Sequence, residues 1–191
     1  MFIFNKTDIE GVYIIEPKVF GDSRGYFMET YNKEEFNKAG LKYNFVQDNQ
    51  SKSHKGVLRG LHFQTKHPQA KLVRVVSGEV FDVAVDLRKD SRTYGKWVGS
   101  ILTSENKKML LIPRGFAHGF VVLSDSAEFT YKCDDFYHPE DDGGIMWNDP
   151  DINIKWPYKG ELDLSAKDKI HPTLKNSNIV FGIKNGSYQV I

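Results

Sequence analysis

Of the 191 residues only one is cysteine, Cys133. No disulfide can close within the chain, so the fold has to hold without the cross-links of small secreted domains. Charge of one sign is missing as well: 26 Lys+Arg stand against 25 Asp+Glu, a net charge of +1. Nucleic-acid-binding proteins concentrate a basic excess, and its absence argues against a polyanion partner. No apolar run approaches the roughly 20 residues of a membrane-spanning helix. The opening Met1-Phe2-Ile3-Phe4-Asn5-Lys6 turns polar too early for a secretory signal. Linkers, internal repeats and low-complexity tracts are also missing, so residues 1–191 are expected to form one domain. Together these absences predict a cytoplasmic, globular chain with neither a membrane nor a nucleic acid as partner.

What the chain does have is aromatics (13 %) and 16 glycines spread along its length. Short β-branched and aromatic runs bounded by glycine predict strands. The clearest pair is Lys71–Val76, a Ser77-Gly78 turn, and Glu79–Leu87. In the second run Phe81, Val83, Val85 and Leu87 share one face, and Val80, Asp82, Ala84 and Asp86 the other. Further strands are expected at Gly11–Phe20, Tyr26–Tyr31, Phe45–Gln50, Leu58–Phe63, Lys96–Leu102, Met109–Ile112, Ala117–Val122 and Glu128–Lys132. One helix is expected at Lys33–Lys38, with Asn32 as cap, Glu35 at the capping-box position and Gly40 closing it. Pro139, Pro150, Pro157 and Pro172 break the strand rhythm. The C-terminal third therefore reads as an irregular wrapping segment, with one short helix near Ser165–Lys169. Many short strands in one domain predict an all-β jelly roll or a related barrel, with its core at about residues 45–135.

Chemistry concentrates in two strands. In Arg59-Gly60-Leu61-His62-Phe63-Gln64, a period of two puts Gly60, His62 and Gln64 on one face, and a glycine there leaves room for something to approach the sheet. In Ile112-Pro113-Arg114-Gly115-Phe116-Ala117-His118-Gly119-Phe120, His118 enters a strand after a tight corner. Two strand histidines raise a metal site of the cupin type, which needs His-x-His, a following Glu and a distant His. Here Gln64 takes the second histidine's place, no Glu follows, and His67 is out of phase and precedes Pro68. Without a metal, His62 works as an acid or base or is a structural histidine with no chemical role. A base needs a partner that fixes its tautomer, and both Asp168 and Asp82 qualify. Tyr131 in Phe129-Thr130-Tyr131-Lys132 reads first as a core aromatic with an outward hydroxyl.

Taken in order, the blocks Asp22–Glu29, Phe45–Ser51, Val57–Gln64, Lys71–Gly78, Asp86–Ser91, Ile112–Phe120, Tyr131-Lys132, Trp147–Ile152 and Trp156-Pro157 resemble the dTDP-4-dehydrorhamnose 3,5-epimerase family. The resemblance covers nearly the whole chain. It implies a cupin-type jelly roll (double-stranded β-helix) without metal or cofactor, and a homodimer that exchanges N-terminal strands. The implied substrate is a 4-keto-6-deoxyhexose carried on dTDP, epimerised at C3 and C5. Both carbons flank the ketone, so the reaction needs a base, an oxyanion stabiliser and an acid on the opposite ring face. By resemblance His62 is the base in a dyad with Asp168, Lys71 stabilises the enolate and Tyr131 is the acid. Arg24 and Arg59 match diphosphate-binding positions, where forked donors suit phosphate oxygens. Phe27, Glu29, Gln47, Asp48, Asn49, His118 and Lys167 match the nucleotide and sugar pocket. Asp142 stands where the family often has Glu, one methylene shorter, so a contact to the sugar there is expected to lengthen or to run through water. Three other readings remain: a monofunctional 3- or 5-epimerase, a metal-dependent cupin enzyme and a non-catalytic sugar-binding module.

Overall fold

The alternation of residues along the strands decides the layers. In the computed structural model, which describes residues 1–184 and 187–190, both faces of most central strands are buried. The strands are β1 (Phe2–Lys6), β2 (Tyr13–Pro17), β3 (Val19–Asp22), β4 (Gly25–Met28), β5 (Gln47–His54), β6 (Leu58–Gln64), β7 (Lys71–Ser77), β8 (Glu79–Asp86), β9 (Trp97–Thr103), β10 (Met109–Ile112), β11 (Phe116–Val122), β12 (Ser126–Cys133), β13 (Asp142–Gly144), β14 (Phe181–Lys184) and β15 (Ser187–Val190). Helix α1 spans Lys33–Lys38. A six-stranded sheet (β1-β2-β10-β7-β12-β5) faces a five-stranded one (β13-β6-β11-β8-β9), and β3–β4 and β14–β15 form separate hairpins. The strand pairings are antiparallel. This is the all-β cupin-type jelly roll that the strand pattern and the resemblance predict.

Three apolar clusters hold it. Between the sheets lie Val73 and Val75 of β7, Leu110 and Ile112 of β10, Val80 and Ala84 of β8, Phe116 and Phe120 of β11, and Phe129 of β12. The outer face of the five-stranded sheet, with Leu61, Phe63, Val83, Val85 and Leu87, is covered by Ile145, Ile152, Ile154 and Phe181 from the C-terminal segment. The outer face of the six-stranded sheet, with Ile15, Leu72, Met109 and Leu111, is covered by Phe36 of α1 and by N-terminal aromatics. Each such side chain taken fully out of water contributes about 1.5–3 kcal/mol before entropy is counted. The two faces of β8 separate as its alternation predicts, and the wrapping segment buries the second one.

Several local expectations are corrected. Gly11–Phe20 is two strands, because Pro17 has no N–H to continue a ladder. Tyr26–Tyr31 ends at Met28, and Asn32 then caps α1 by accepting from the Glu34 and Glu35 N–H groups. Glu35 does not complete a capping box; its carboxylate meets Lys38 and the N-terminal amine instead. Ser165–Lys169 forms hydrogen-bonded turns, with Lys169 N–H donating to Ser165 O at 3.3 Å and Ile170 N–H to Lys167 O at 3.1 Å. The short helical turns lie at Pro139–Asp141 and Leu174–Asn176 instead.

Candidate active site

Because Leu61 and Phe63 pack outward under the C-terminal segment, His62 between them points into the barrel. Its cross-strand partner is His118 of β11, next to a bulge that interrupts the pairing before Phe120. A Cβ on Gly60 would lie 2.6 Å from Gly119 Cα, and one on Gly119 would lie 2.7 Å from Arg59 O. The space left by Gly60 is thus filled by the backbone of β11, not by a ligand. The gap serves the register that sets His62 beside His118.

The two aspartates open to His62 in the sequence go to different histidines. Asp168, 3 % exposed, meets His62: Asp168 Oδ1 lies 2.5 Å from His62 Nε2. Asp82, fully buried, lies 2.9 Å from His118 Nε2 through Oδ2. Burial pushes the Asp168 carboxyl up, but the His62 hydrogen bond and charge, with help from the Ser165 hydroxyl and His171, outweigh it and leave the carboxyl below its usual range. An ionised Asp168 can only accept from His62 Nε2, and in that tautomer the lone pair of the uncharged ring is on Nδ1. The backbone of Asp168 is fixed too, since its N–H donates to Ser165 Oγ at 3.1 Å. Asp82 behaves oppositely. Burial raises its carboxyl above the usual range against the pull of His118 and Lys71.

Lys71 opens β7 opposite Cys133 of β12. Its ammonium lies 5.8 Å from the Tyr131 ring centre, and among the described residues no carboxylate comes within 4.0 Å of it. Burial holds the Lys71 ammonium below its ordinary range, with Cys133 and Asp82 opposing. Such a cation is one that a developing anion would stabilise well. Tyr131 sits between Val73 and Asn49 in the ladder, and its ring packs against the inner core. Burial pushes the Tyr131 hydroxyl up, so it stays protonated at neutral pH. The expected packing of its ring against the core is observed. On the same face, Gln47 Nε2 donates to Asn49 Oδ1 at 3.1 Å and Asn49 Nδ2 to Cys133 Sγ at 3.7 Å. Burial pushes the Cys133 thiol up to about 11, so it is not a nucleophile at neutral pH.

A cleft of about 430 Å³ opens at the mouth of the barrel over His62 and Asp168, with Arg59, Lys52 and Lys167 around it. Arg59 is anchored by Nε–H donation to Ser53 Oγ at 3.1 Å, and Lys167 pairs with Asp142. A cleft of equal volume on the outer face of the six-stranded sheet, between Gln50, Arg74, Thr130 and Lys132, contains no histidine among the described residues that line it. The cleft over His62 and Asp168 is the candidate site.

Comparison with known proteins decides the family. A family model described as dTDP-4-dehydrorhamnose 3,5-epimerase matches residues 6–176. The chain belongs to the dTDP-4-dehydrorhamnose 3,5-epimerase family. It is 55 % identical over 180 residues to the family's enzyme from Methanothermobacter thermautotrophicus, covering 93 % of this chain and 97 % of that one. It is 57 % identical over 176 residues to the enzyme from Salmonella typhimurium, covering 91 % and 96 %. Among solved structures it resembles the 3,5-epimerase of Legionella pneumophila in complex with dTDP-4-keto-L-rhamnose. There the TM-score is 0.90 at 50 % identity, with 92 % of this chain and 94 % of that chain covered.

Not every residue that the 3,5-epimerase pattern singles out meets His62 in one chain. Arg24 lies on the β3–β4 hairpin and forks onto Asp22, with Nε at 3.2 Å and Nη2 at 2.6 Å from its two oxygens. Phe27 is 67 % exposed on the same hairpin, and Glu29 lies near the N-terminal amine. Asp48 faces outward, away from Asn49, and its carboxylate takes Lys132 Nζ at 2.9 Å and 3.0 Å. Strand alternation alone forces that: if Asn49 faces in, Asp48 faces out. Asp142 is committed to Lys167, so the shorter side chain serves a neighbouring cation. The sequence reading passes over His171, whose ring stands edge-on to His62 with centroids 5.8 Å apart. Its signal was its place three residues after Asp168.

Proposed function

We infer that this protein is a dTDP-4-dehydrorhamnose 3,5-epimerase. It inverts C3 and C5 of dTDP-4-dehydro-6-deoxy-D-glucose to give dTDP-4-dehydro-L-rhamnose, an isomerisation within dTDP-L-rhamnose biosynthesis. The observation that carries the reading is the His62–Asp168 pair at the floor of a cation-rimmed cleft, in a chain 50–57 % identical to such epimerases. His62 Nδ1 takes the proton from the carbon beside the C4 ketone, and the imidazolium so formed is stabilised by Asp168. The electron pair moves to the C4 oxygen as an enolate, which the poorly solvated Lys71 ammonium stabilises. Tyr131 returns a proton to the opposite face, inverting the centre, and a second round at the other carbon completes the reaction. Between rounds water takes the proton from His62 and returns one to Tyr131, so protons and electrons balance and the scheme includes no cofactor. Arg59 and Lys167 supply charge for the diphosphate, and the family resemblance gives Gln47, Asn49 and His118 to the sugar and nucleotide.

The working unit in this proposal is a homodimer. Phe20, Tyr26 and Phe27 on β3–β4 are exposed, a concentration of aromatic surface that a partner subunit would cover. Exchange of this hairpin would carry Arg24, Phe27 and Glu29 to the partner's cleft. A nucleotide diphosphate does not cross a bilayer unaided, so the enzyme is placed with its substrate in the cytoplasm.

The test is incubation of the purified protein with dTDP-4-dehydro-6-deoxy-D-glucose in D2O, followed by NMR. Deuterium is expected at both C3 and C5. Exchange at one carbon only would identify a monofunctional epimerase, and exchange at neither would sink the proposal.

A further inference from the structure

We propose that His62, Asp168 and His171 form a binding site for a divalent transition-metal ion, zinc foremost, and that filling it switches the base off. The donors come from two places, His62 from β6 and the other two from the turn after Ser165. One ligating atom from each lies within 4.8 Å of the other two. Asp168 Oδ1 is central, 2.5 Å from His62 Nε2 and 3.6 Å from His171 Nε2. Two imidazoles and one carboxylate are a donor set that zinc, cobalt(II) and iron(II) accept. Zinc–nitrogen bonds of about 2.0–2.1 Å would draw the three atoms around a common centre through shifts on the order of an ångström.

A second observation points the same way. The His171 side chain is nine-tenths buried, and its Nε2 has no hydrogen-bond partner while facing Asp168. Buried polar atoms are ordinarily satisfied, so an orphan next to two other ligand atoms marks a place for something that accepts a lone pair. The charged and titratable groups facing His171 are Asp168, His62 and Lys167. Lys167 in turn is paired with Asp142, which leaves Asp168 to the two histidines.

These are not the donors that a cupin metal site would take from β6 and β11. Gln64 is committed to the backbone at His67, Phe136 and His138, and His118 to Asp82. The consequence for catalysis also differs from that of a cofactor. An ion on His62 Nε2 displaces the proton there to Nδ1, and the lone pair that attacks the substrate is lost. Inhibition rests on the epimerase reading; binding does not.

The test uses metal-stripped protein titrated with cobalt(II), read by its visible ligand-field absorption, then with zinc to displace it. One cobalt per chain is expected, displaced by zinc. His171→Gln and Asp168→Asn should each weaken binding by about a hundredfold or more while circular dichroism stays native, since even outer-shell losses cost ~10–100-fold. Affinity should fall as acid protonates the imidazoles. In the deuterium-exchange assay, zinc should stop wild-type exchange and spare His171→Gln. Absence of the cobalt band, or a band unchanged in folded His171→Gln, would overturn the site. So would loss of the band in His138→Ala, which removes one of the stacked surface pair His67 and His138. A protein that binds cobalt through His171 but exchanges no deuterium would uphold this site and reject the epimerase reading.

Discussion

Asp168 is buried and still ionised, and that combination ties acid stability to catalysis. With its folded pKa below the ordinary carboxylate range, it adds stability that is fully present above about pH 4. That stability is lost as pH falls through the depressed folded value. Asp168→Asn should therefore melt below wild type near pH 7, and the gap should close on acidification toward pH 3. A gap that widened in acid would contradict the assignment of the ionised form. The same variant should lose about 10²–10⁴-fold in kcat/KM, because the amide neither fixes the His62 tautomer nor stabilises the imidazolium. Tyr131→Phe separates the two proton transfers: deuterium exchange should persist while product with inverted centres falls. Unchanged product yield would assign the acid to another group. At this scale the His62 chemistry is legible in sequence, but its partner is not. Asp82 and Asp168 are equal candidates until the fold gives one to each histidine, because pairing across 106 residues leaves no local pattern.

The bulged crossing of β6 and β11 is the element on which the site depends. Gly60, at φ +138°, brings its backbone against Gly119, and a methyl group there would meet main chain that has nowhere to move. Gly60→Ala should cost about 3 kcal/mol or more, the sum of a strained backbone and overpacking. The check is the denaturation midpoint at constant m-value, and a loss under about 1 kcal/mol would mean the strands can part without penalty. At this scale, regular elements are legible and irregular ones are not. β8 is readable because Phe81, Val83 and Val85 alternate with Val80, Asp82 and Ala84, and α1 because Asn32 caps it. The segment after Pro139 has no period to read. Its short turns follow from contacts such as Met146 N–H to Pro172 O, which join residues far apart in sequence. For the same reason His171 escapes a sequence reading, though it stands against the dyad.

At the scale of the molecule, the separate hairpin β3–β4 leaves Arg24 paired, among the described residues, only with its neighbour Asp22, and Phe27 facing solvent. An exposed ion pair of this kind is worth little and is screened by salt, so Asp22 does not hold Arg24 firmly. A diphosphate, with two charges and a fork of oxygens, would compete well for the same guanidinium. If the hairpin serves the partner's cleft, then each active site takes His62 from one chain and Arg24 from the other. Two defects placed in different chains would then segregate. His62→Ala and Arg24→Ala should each be impaired alone as homodimers. Denatured together in equal amounts and refolded, about half of the dimers should be mixed by random two-fold association. Each mixed dimer then contains one site with both residues intact and one site with neither. Specific activity should rise to about a quarter of wild type, one intact site in two across half of the dimers. If Arg24 served its own chain's cleft, every site in the mixture would carry one defect, and refolding together would restore nothing. Scattering of the refolded mixture fixes the oligomer, and activity tells which chain the arginine works for.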